Sequence, residues 1–231
     1  MLKKIVKGIA VLLLLGAAAG CYFGEADYSS IEGYTEAANA KTLYAQLDSG
    51  HFYMQDNATG NITEEFSFLY RPDGNLMYSY KGNDGNTERW EFHNGSEINY
   101  RENGDTEWKF IDQTSEDYFV FTRTNLHPYT AEGLISVSAY AISDSKVEED
   151  GSGGLKITFY YDAAQLEYLL SDIGKLDSFE SVLWLNEEGY CYRLDQKAVF
   201  DGGEQVSDYS MHIDSMNELT ELKRPEIDEI E

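Results

Sequence analysis

From His51 onward the chain repeats one device: a short run with aromatic residues at every second position, then a cluster of Gly, Asn, Asp or Pro. In Glu65–Arg71 the residues Phe66, Phe68 and Tyr70 share one face, and Pro72-Asp73-Gly74-Asn75 turns the chain. Leu76, Tyr78 and Tyr80 repeat the pattern before Gly82-Asn83-Asp84-Gly85-Asn86. Arg89–His93 puts Trp90 and Phe92 on one side, and Asn94-Gly95 follows, two residues that tolerate the positive φ of a tight hairpin turn. Glu97–Arg101 carries Ile98 and Tyr100, and Thr106–Ile111 carries Trp108 and Phe110. His51–Gln55 and Tyr118–Thr122 fit as further strands. Side chains of a strand alternate between faces, so period-2 runs broken every ~8–12 residues by turns specify an antiparallel meander with one buried and one wet face.

The pattern is interrupted twice by helical spacing. Tyr34, Ala37, Ala38, Lys41 and Tyr44, with Ala45 or Leu47, recur as on one side of a helix, and Ser49-Gly50 stops it. Leu166, Leu169, Leu170 and Ile173 define a second helix, opened by Asp162 as N-cap with Gln165 three residues on, close to a capping box, and ended by Gly174. A weaker helical pattern covers Ala131–Ile142, after His127-Pro128 breaks the first meander. Asp144–Gly154, acidic and glycine-rich, reads as an exposed loop and as the boundary between halves of one domain. Beyond it, strands are expected at Leu155–Tyr161, Phe179–Leu185, Tyr190–Leu194, Ala198–Phe200 and around Tyr209, Met211 and Ile213, with turns at Asn186-Glu187-Glu188-Gly189 and Asp201-Gly202-Gly203-Glu204. The expected fold class is mainly β (α+β): a curved antiparallel sheet or incompletely closed barrel of roughly ten to eleven strands, since so wide a sheet must curl, with two or three covering helices.

The first twenty-one residues are of another kind. Lys3, Lys4 and Lys7 precede the apolar run Ile9–Leu15, and Gly16-Ala17-Ala18-Ala19-Gly20 leads into Cys21. Positive, apolar and small, in that order, is the layout of an export signal, and the apolar part is short for a spanning helix. Ala18-Ala19-Gly20-Cys21 resembles the lipobox of bacterial lipoproteins, with Ala18 where Leu is usual. The resemblance implies lipidation of Cys21 by a diacylglycerol and acyl chains such as palmitate, hence a cell-membrane location on the extracytoplasmic face. The alternative is an ordinary secreted protein cut near Ala19. The expected organisation is a signal at 1–20, a lipid-anchored tether at 21–33, a single half-barrel domain at 34–225 and an acidic tail at 226–231.

Charge narrows the partners. The formal net charge is −25 at pH 7, and removal of Lys3, Lys4 and Lys7 makes the mature chain three units more negative. Such a chain is repelled by nucleic acid and by anionic head groups, so no nucleic-acid partner is expected. With Cys21 lipidated, Cys191 has no disulfide partner and reads as a small, half-buried apolar residue in Tyr190-Cys191-Tyr192-Arg193.

The element order, the aromatic meander around Trp90-Glu91-Phe92-His93-Asn94-Gly95 and the closing strand leading into Asn217 and Pro225 resemble exported lipoproteins of the lipoprotein-carrier (LolA/LolB-like) superfamily, over about residues 34–225. The resemblance implies an unclosed antiparallel barrel with helices as a lid and an apolar cavity between them. Trp90, Phe92, Trp108, Phe110, Phe159 and Trp184 are the candidate lining residues; the plainer alternative is that they are the core of a curved sheet.

No catalytic constellation is found. The chain lacks Gly-x-Ser-x-Gly, a Ser-x-x-Lys placed as in penicillin-recognising enzymes, a local Cys–His signature and a phosphate-binding Gly-rich loop with its lysine. His51, His93, His127 and His212 have no metal-ligand spacing and read as surface residues. Gly82–Glu88 and Asp144–Gly154 are acidic but match no calcium loop and read as hydrated turns. No cofactor, metal or catalytic residue is expected. Two function classes remain: a non-enzymatic, membrane-anchored protein holding a lipid or acyl chain between sheet and lid, or an interaction module that binds a protein or cell-wall glycan through exposed aromatics. A hydrolytic enzyme is the third and weakest reading.

Overall fold

A computed structural model describes residues 28–44, 46–70, 76–82, 88–93, 97–102, 109–112, 139–169 and 175–222. Cys21, Trp108, His127, the run Tyr118–Thr122 and all but the end of Ala131–Ile142 lie outside them. The chain divides into two compact units, Met1–Gln46 with His127–Ser210 and Leu47–Leu126 with Met211–Glu231. The divisions fall at Gln46, Leu126 and Ser210, and not at Asp144–Gly154.

The first unit holds α1 (Tyr34–Tyr44), β7 (Ile142–Glu149), β8 (Leu155–Tyr161), α2 (Ala163–Leu169), β9 (Leu176–Leu185), β10 (Cys191–Phe200) and the first half of β11 (Gln205–Asp214). Its strands are ordered β7-β8-β9-β10-β11. Cross-strand register sorts the residues. Ile157 pairs with Leu183 and Leu183 with Leu194, while Tyr161 pairs with Phe179 and Phe179 with Ala198, all on one face. All six are buried. The opposite face carries Lys156, Trp184 and Arg193, opposite one another on β8, β9 and β10.

The buried stripe of α1 is Ala37, Ala40 and Tyr44, continued by Gly33 before it. Ala38, expected on that stripe, is exposed, and Lys41 is half-buried. The stripe is rotated because Gly33 packs directly on the sheet: a Cβ there would lie 2.6 Å from Ile157 Cγ2 and 2.8 Å from Val147 Cγ2. At the other end, the Tyr44 hydroxyl donates to the Cys191 carbonyl. Asp162 caps α2, its Oδ1 accepting from the N–H groups of Ala164 (2.9 Å) and Gln165 (3.3 Å). The expected capping box is only half made. Asp162 N–H donates to the Ala141 carbonyl (2.8 Å), so Gln165 has no backbone donor to reach back to.

Three expectations need correction. The stretch read as a loop, Asp144–Gly154, is strand as far as Glu149, with a bend only from Asp150 to Gly154. Its polarity is that of an end strand, β7, which pairs on one side with β8 from Ile142↔Tyr161 to Glu149↔Leu155. Of the helix expected over Ala131–Ile142, the described part is one 3-10 turn, Ala139–Ala141, with Ile142 already opening β7. The strands expected at Tyr190–Leu194 and Ala198–Phe200 are a single strand. Asp195-Gln196-Lys197 continues it because Asp195 and Lys197 stand on the wet face and only Gln196 is turned inward.

The second unit holds β1 (Ser49–Asp56), β2 (Ile62–Tyr70), β3 (Leu76–Gly82), β4 (Glu88–His93), β5 (Glu97–Glu102), β6 (Lys109–Asp112) and the second half of β11, ordered β6-β5-β4-β3-β2-β1-β11. Each successive pairing from β1 to β6 is antiparallel. The segment after β11 is tied back at Asn217 (φ 58°), whose N–H donates to the Ser49 carbonyl (2.9 Å) while its Oδ1 accepts from Asp48 N–H (2.8 Å). Asn tolerates the left-handed conformation there. The class is therefore mainly β: eleven antiparallel strands with few helices among the described residues, in an unclosed order ending at β6 and β7.

Gly33 combines a φ of +77° with a Cβ position already filled by Ile157 and Val147. Gly33→Ala is expected to destabilise the protein by about 1–3 kcal/mol, seen as a lower urea midpoint with α1 loosened. An unchanged midpoint would contradict this packing.

Candidate ligand-binding faces

The six aromatics expected to line one cavity do not share one setting. Trp90 and Phe92 lie on β4 and Phe110 on β6, in the second unit; Trp108 lies outside the described residues. Phe159 is fully buried on the apolar face of β8. Trp184, on the adjoining β9, stands on the opposite face, because its register partners are Lys156 and Arg193 whereas that of Phe159 is Ser181. Its ring lies 5.1 Å from Lys156 Nζ and 5.6 Å from Arg193 Cζ, within cation–π reach. Its Nε1–H donates to Asp195 Oδ2 (3.1 Å), and Asp195 Oδ1 accepts from Arg193 Nε (2.6 Å) and Ser210 Oγ (2.7 Å). The indole is thus engaged by a polar surface cluster.

In the second unit the apolar face of β1 and β2 is aromatic. Phe52 stacks on Phe66 at 4.7 Å and 7° and lies 5.7 Å from Phe68. Gly50 makes room for them: a Cβ there would come within 2.9 Å of Phe52 Cε2 and 3.0 Å of Phe68 Cε1. The alternation Phe52-Met54 in His51–Gln55 is the signal that would have marked Phe52 as a site candidate. Glu64 precedes Phe66 and Phe68 on the same face of β2, opposite Met54 on β1. It is 9% exposed. Burial pushes its pKa from an ordinary 4.5 up to about 7. A carboxyl on an aromatic face is the sort of group that the alternation of hydrophobic residues hides, because a glutamate in Glu64-Glu65 reads as solvated.

The first unit has its own misplaced polar groups. On the buried face, Phe159, Ser181 and Gln196 form one cross-strand row. Ser181 Oγ and the Tyr161 hydroxyl hydrogen-bond to each other at 3.0 Å, and burial raises the Tyr161 pKa. Gln196 is 9% exposed, and its Oε1 has no hydrogen-bond partner; neither has Gln165 Oε1 on α2. Cys191 is fully buried, not half-buried, its Sγ–H donating to the Arg193 carbonyl (3.2 Å), and burial pushes the thiol up to about 12.

The histidines are arranged by the fold. His51 places Nδ1 2.7 Å from Asp214 Oδ1 and Nε2 3.0 Å from Glu65 Oε1, bridging β11, β1 and β2. His212 stacks on Tyr53 at 4.7 Å and 7°. His93 lies on β4. Among the described residues no group of His, Cys, Asp or Glu is placed to hold a metal. In the Asp150–Gly154 bend the Asp150 carboxylate accepts from Ser152 Oγ and from the N–H groups of Ser152 and Gly154, and these hydrogen bonds, Ser152 first, lower its pKa.

Two measurements check these burials. Between 4.5 and about 7 the folded protein keeps on Glu64 a proton that the unfolded chain has released, so the stability contributed by this site falls as pH rises through that window. Glu64→Gln is expected to match the wild type at about pH 4 and to exceed it by about 2 kcal/mol at about pH 8 in urea unfolding, and equal midpoints at both would contradict the burial. Cys191 is expected to be inert to an aromatic disulfide reagent in the folded protein and to react once urea unfolds it.

No family model matches the chain, and no curated protein matches it. Among solved structures it is similar to the lipoprotein LppX of Mycobacterium tuberculosis, at 14% identity over 82% of this chain and 97% of that one, with a TM-score of 0.44. It is similar also to LprF from Mycobacterium bovis, at 12% identity over 84% and 96% of the two chains, TM-score 0.43. MucB shares 15% identity over 78% of this chain and 58% of its own, TM-score 0.29.

Proposed function

We propose that this is an extracytoplasmic lipoprotein, anchored through an acylated Cys21, that binds or carries a hydrophobic ligand and performs no catalysis. Support for export and anchoring comes from the order of Lys3–Lys7, Ile9–Leu15 and Ala18-Ala19-Gly20-Cys21. The observation that carries the binding function is a set of buried polar groups: the Oε1 atoms of Gln196 and Gln165, which have no hydrogen-bond partner, and the Glu64 carboxyl, whose pKa burial raises. A filled core excludes such groups, because each costs about 1–3 kcal/mol when left unpaired. In each unit a bound molecule would contribute contacts that these groups lack within the chain.

Recognition through an exposed aromatic patch finds less support. Among the residues whose side chains are described, which leaves out most of β3 to β6, the exposed large apolar ones are Ile62, Tyr160 and Val206, on three different strands. Tyr53 and Trp184 are both engaged by neighbours.

The test uses the full chain expressed in a bacterial host fed an alkyne-tagged palmitate, purified from membranes, and examined by native mass spectrometry and solvent extraction. The expected result is label on the wild type and none on Cys21→Ala, with a second, non-covalent lipid recovered from both. A chain free of extractable lipid that also takes up no fluorescent acyl probe would overturn the binding function, and label persisting in Cys21→Ala would overturn the anchor.

A further inference from the structure

The hydrophobic-ligand reading leaves the head group open, and the first unit constrains it. In β8, β9 and β10 the cations are Lys156, Arg193 and Lys197, and register puts all of them on the wet face: Lys156 and Arg193 opposite Trp184, Lys197 opposite Glu180. Each has an acidic neighbour there, Glu148, Asp195 and Asp208 respectively. The apolar face of these strands therefore offers no positive charge to an anionic head group.

What that face does offer is an acceptor. Gln196 sits in the middle of it, between Leu194 and Ala198 along β10 and opposite Ser181 on β9. Ser181 does not satisfy it: the Ser181 hydroxyl is paired with that of Tyr161, and Gln196 Oε1 has no partner. The second bare carbonyl oxygen, that of Gln165, belongs to α2, which packs against β9. Both unpaired atoms are carbonyl oxygens, so the complementary group is a donor.

Resting on the binding function proposed above, we infer that Gln196 is a specificity-determining residue that accepts a hydrogen bond from an uncharged, hydroxyl-bearing head group of an acyl lipid, and that the face around it discriminates against carboxylate-headed lipids. A hydroxyl both supplies the donor and carries no charge to desolvate. A fatty-acid carboxylate supplies acceptors only, so it cannot pair with the Gln196 carbonyl oxygen, and it finds no cation on this face of β8, β9 and β10.

The experiment compares three probes of equal chain length on the delipidated full chain, by competition with a fluorescent acyl probe: monooleoylglycerol, methyl oleate and oleate. The first has hydroxyl donors, the second neither donor nor charge, the third a charge. Monooleoylglycerol is expected to bind roughly tenfold tighter than methyl oleate, and oleate to bind weakest, because one buried acceptor left unpaired is worth about a factor of ten. In Gln196→Leu the gap between the two uncharged probes should close to within about twofold, while methyl oleate binds as before or better. Equal binding of the uncharged probes to the wild type overturns the assignment whether or not the variant folds. So does oleate binding as tightly as monooleoylglycerol, or a gap that survives Gln196→Leu. If methyl oleate and the fluorescent probe bind but no discrimination is seen, only the Gln196 assignment falls. If no probe is retained, the binding function falls with it.

Discussion

Everything distinctive in the first unit depends on the register of three strands. Ile157, Leu183 and Leu194 occupy one cross-strand row, and the next residue on each strand turns to the other side. Burying each of those side chains is worth about 1.5–3 kcal/mol, whereas an exposed ion pair such as Lys146–Glu148 is screened by water and contributes little. The apolar row therefore sets the register, and the charged residues take the face that remains. A slip of one residue would bring Lys156, Trp184 and Arg193 inward together, which is why the arrangement is unique. Helix α1 then docks where Gly33 permits its backbone to touch Ile157 and Val147.

Against that background the polar groups on the apolar faces separate into two kinds. Ser181 and Tyr161 satisfy each other, so their burial is nearly neutral. Gln196, Gln165 and Glu64 are different: two carbonyl oxygens without partners and a carboxyl whose pKa burial raises. Local rules broken without compensation inside the protein are characteristic of sites that act on something else. The wet face shows the reverse. There Asp195 collects three donors from Trp184, Arg193 and Ser210, a cluster whose members compensate one another and which fixes the indole in place.

Much of the fold was legible in the residues. Period-2 aromatics and Gly, Asn and Asp turns gave the strands from β1 to β5 and the hairpin of β9 and β10 to within a few residues, because alternation reports burial directly. Leu155–Tyr161 matches β8 end to end. Where the pattern misled, polarity was responsible. Ile142–Glu149 looked like a loop since an end strand tolerates charge, and Asp195-Gln196-Lys197 looked like a break since two of its three side chains face water. The start of α1 was right, but the helix ends at Tyr44, short of Leu47, and its buried face was rotated, for propensity does not tell which side a helix turns to a sheet.

The chain by itself determined its alternating strands, its acidity, its two helices and the positive, apolar and small order of residues 1–21, all properties of local spacing and charge. Only the tertiary structure decided which residues meet. It parted Phe159 from Trp184, neighbours on adjoining strands but on opposite faces, and placed His51 between Glu65 and Asp214 from distant parts of the sequence. It also turned Gln196 inward and left its carbonyl unpaired. The physical reason is that burial and hydrogen-bond satisfaction belong to pairs of strands: one strand's sequence fixes its two faces, and its neighbours fix which face is dry and which polar groups there find a partner.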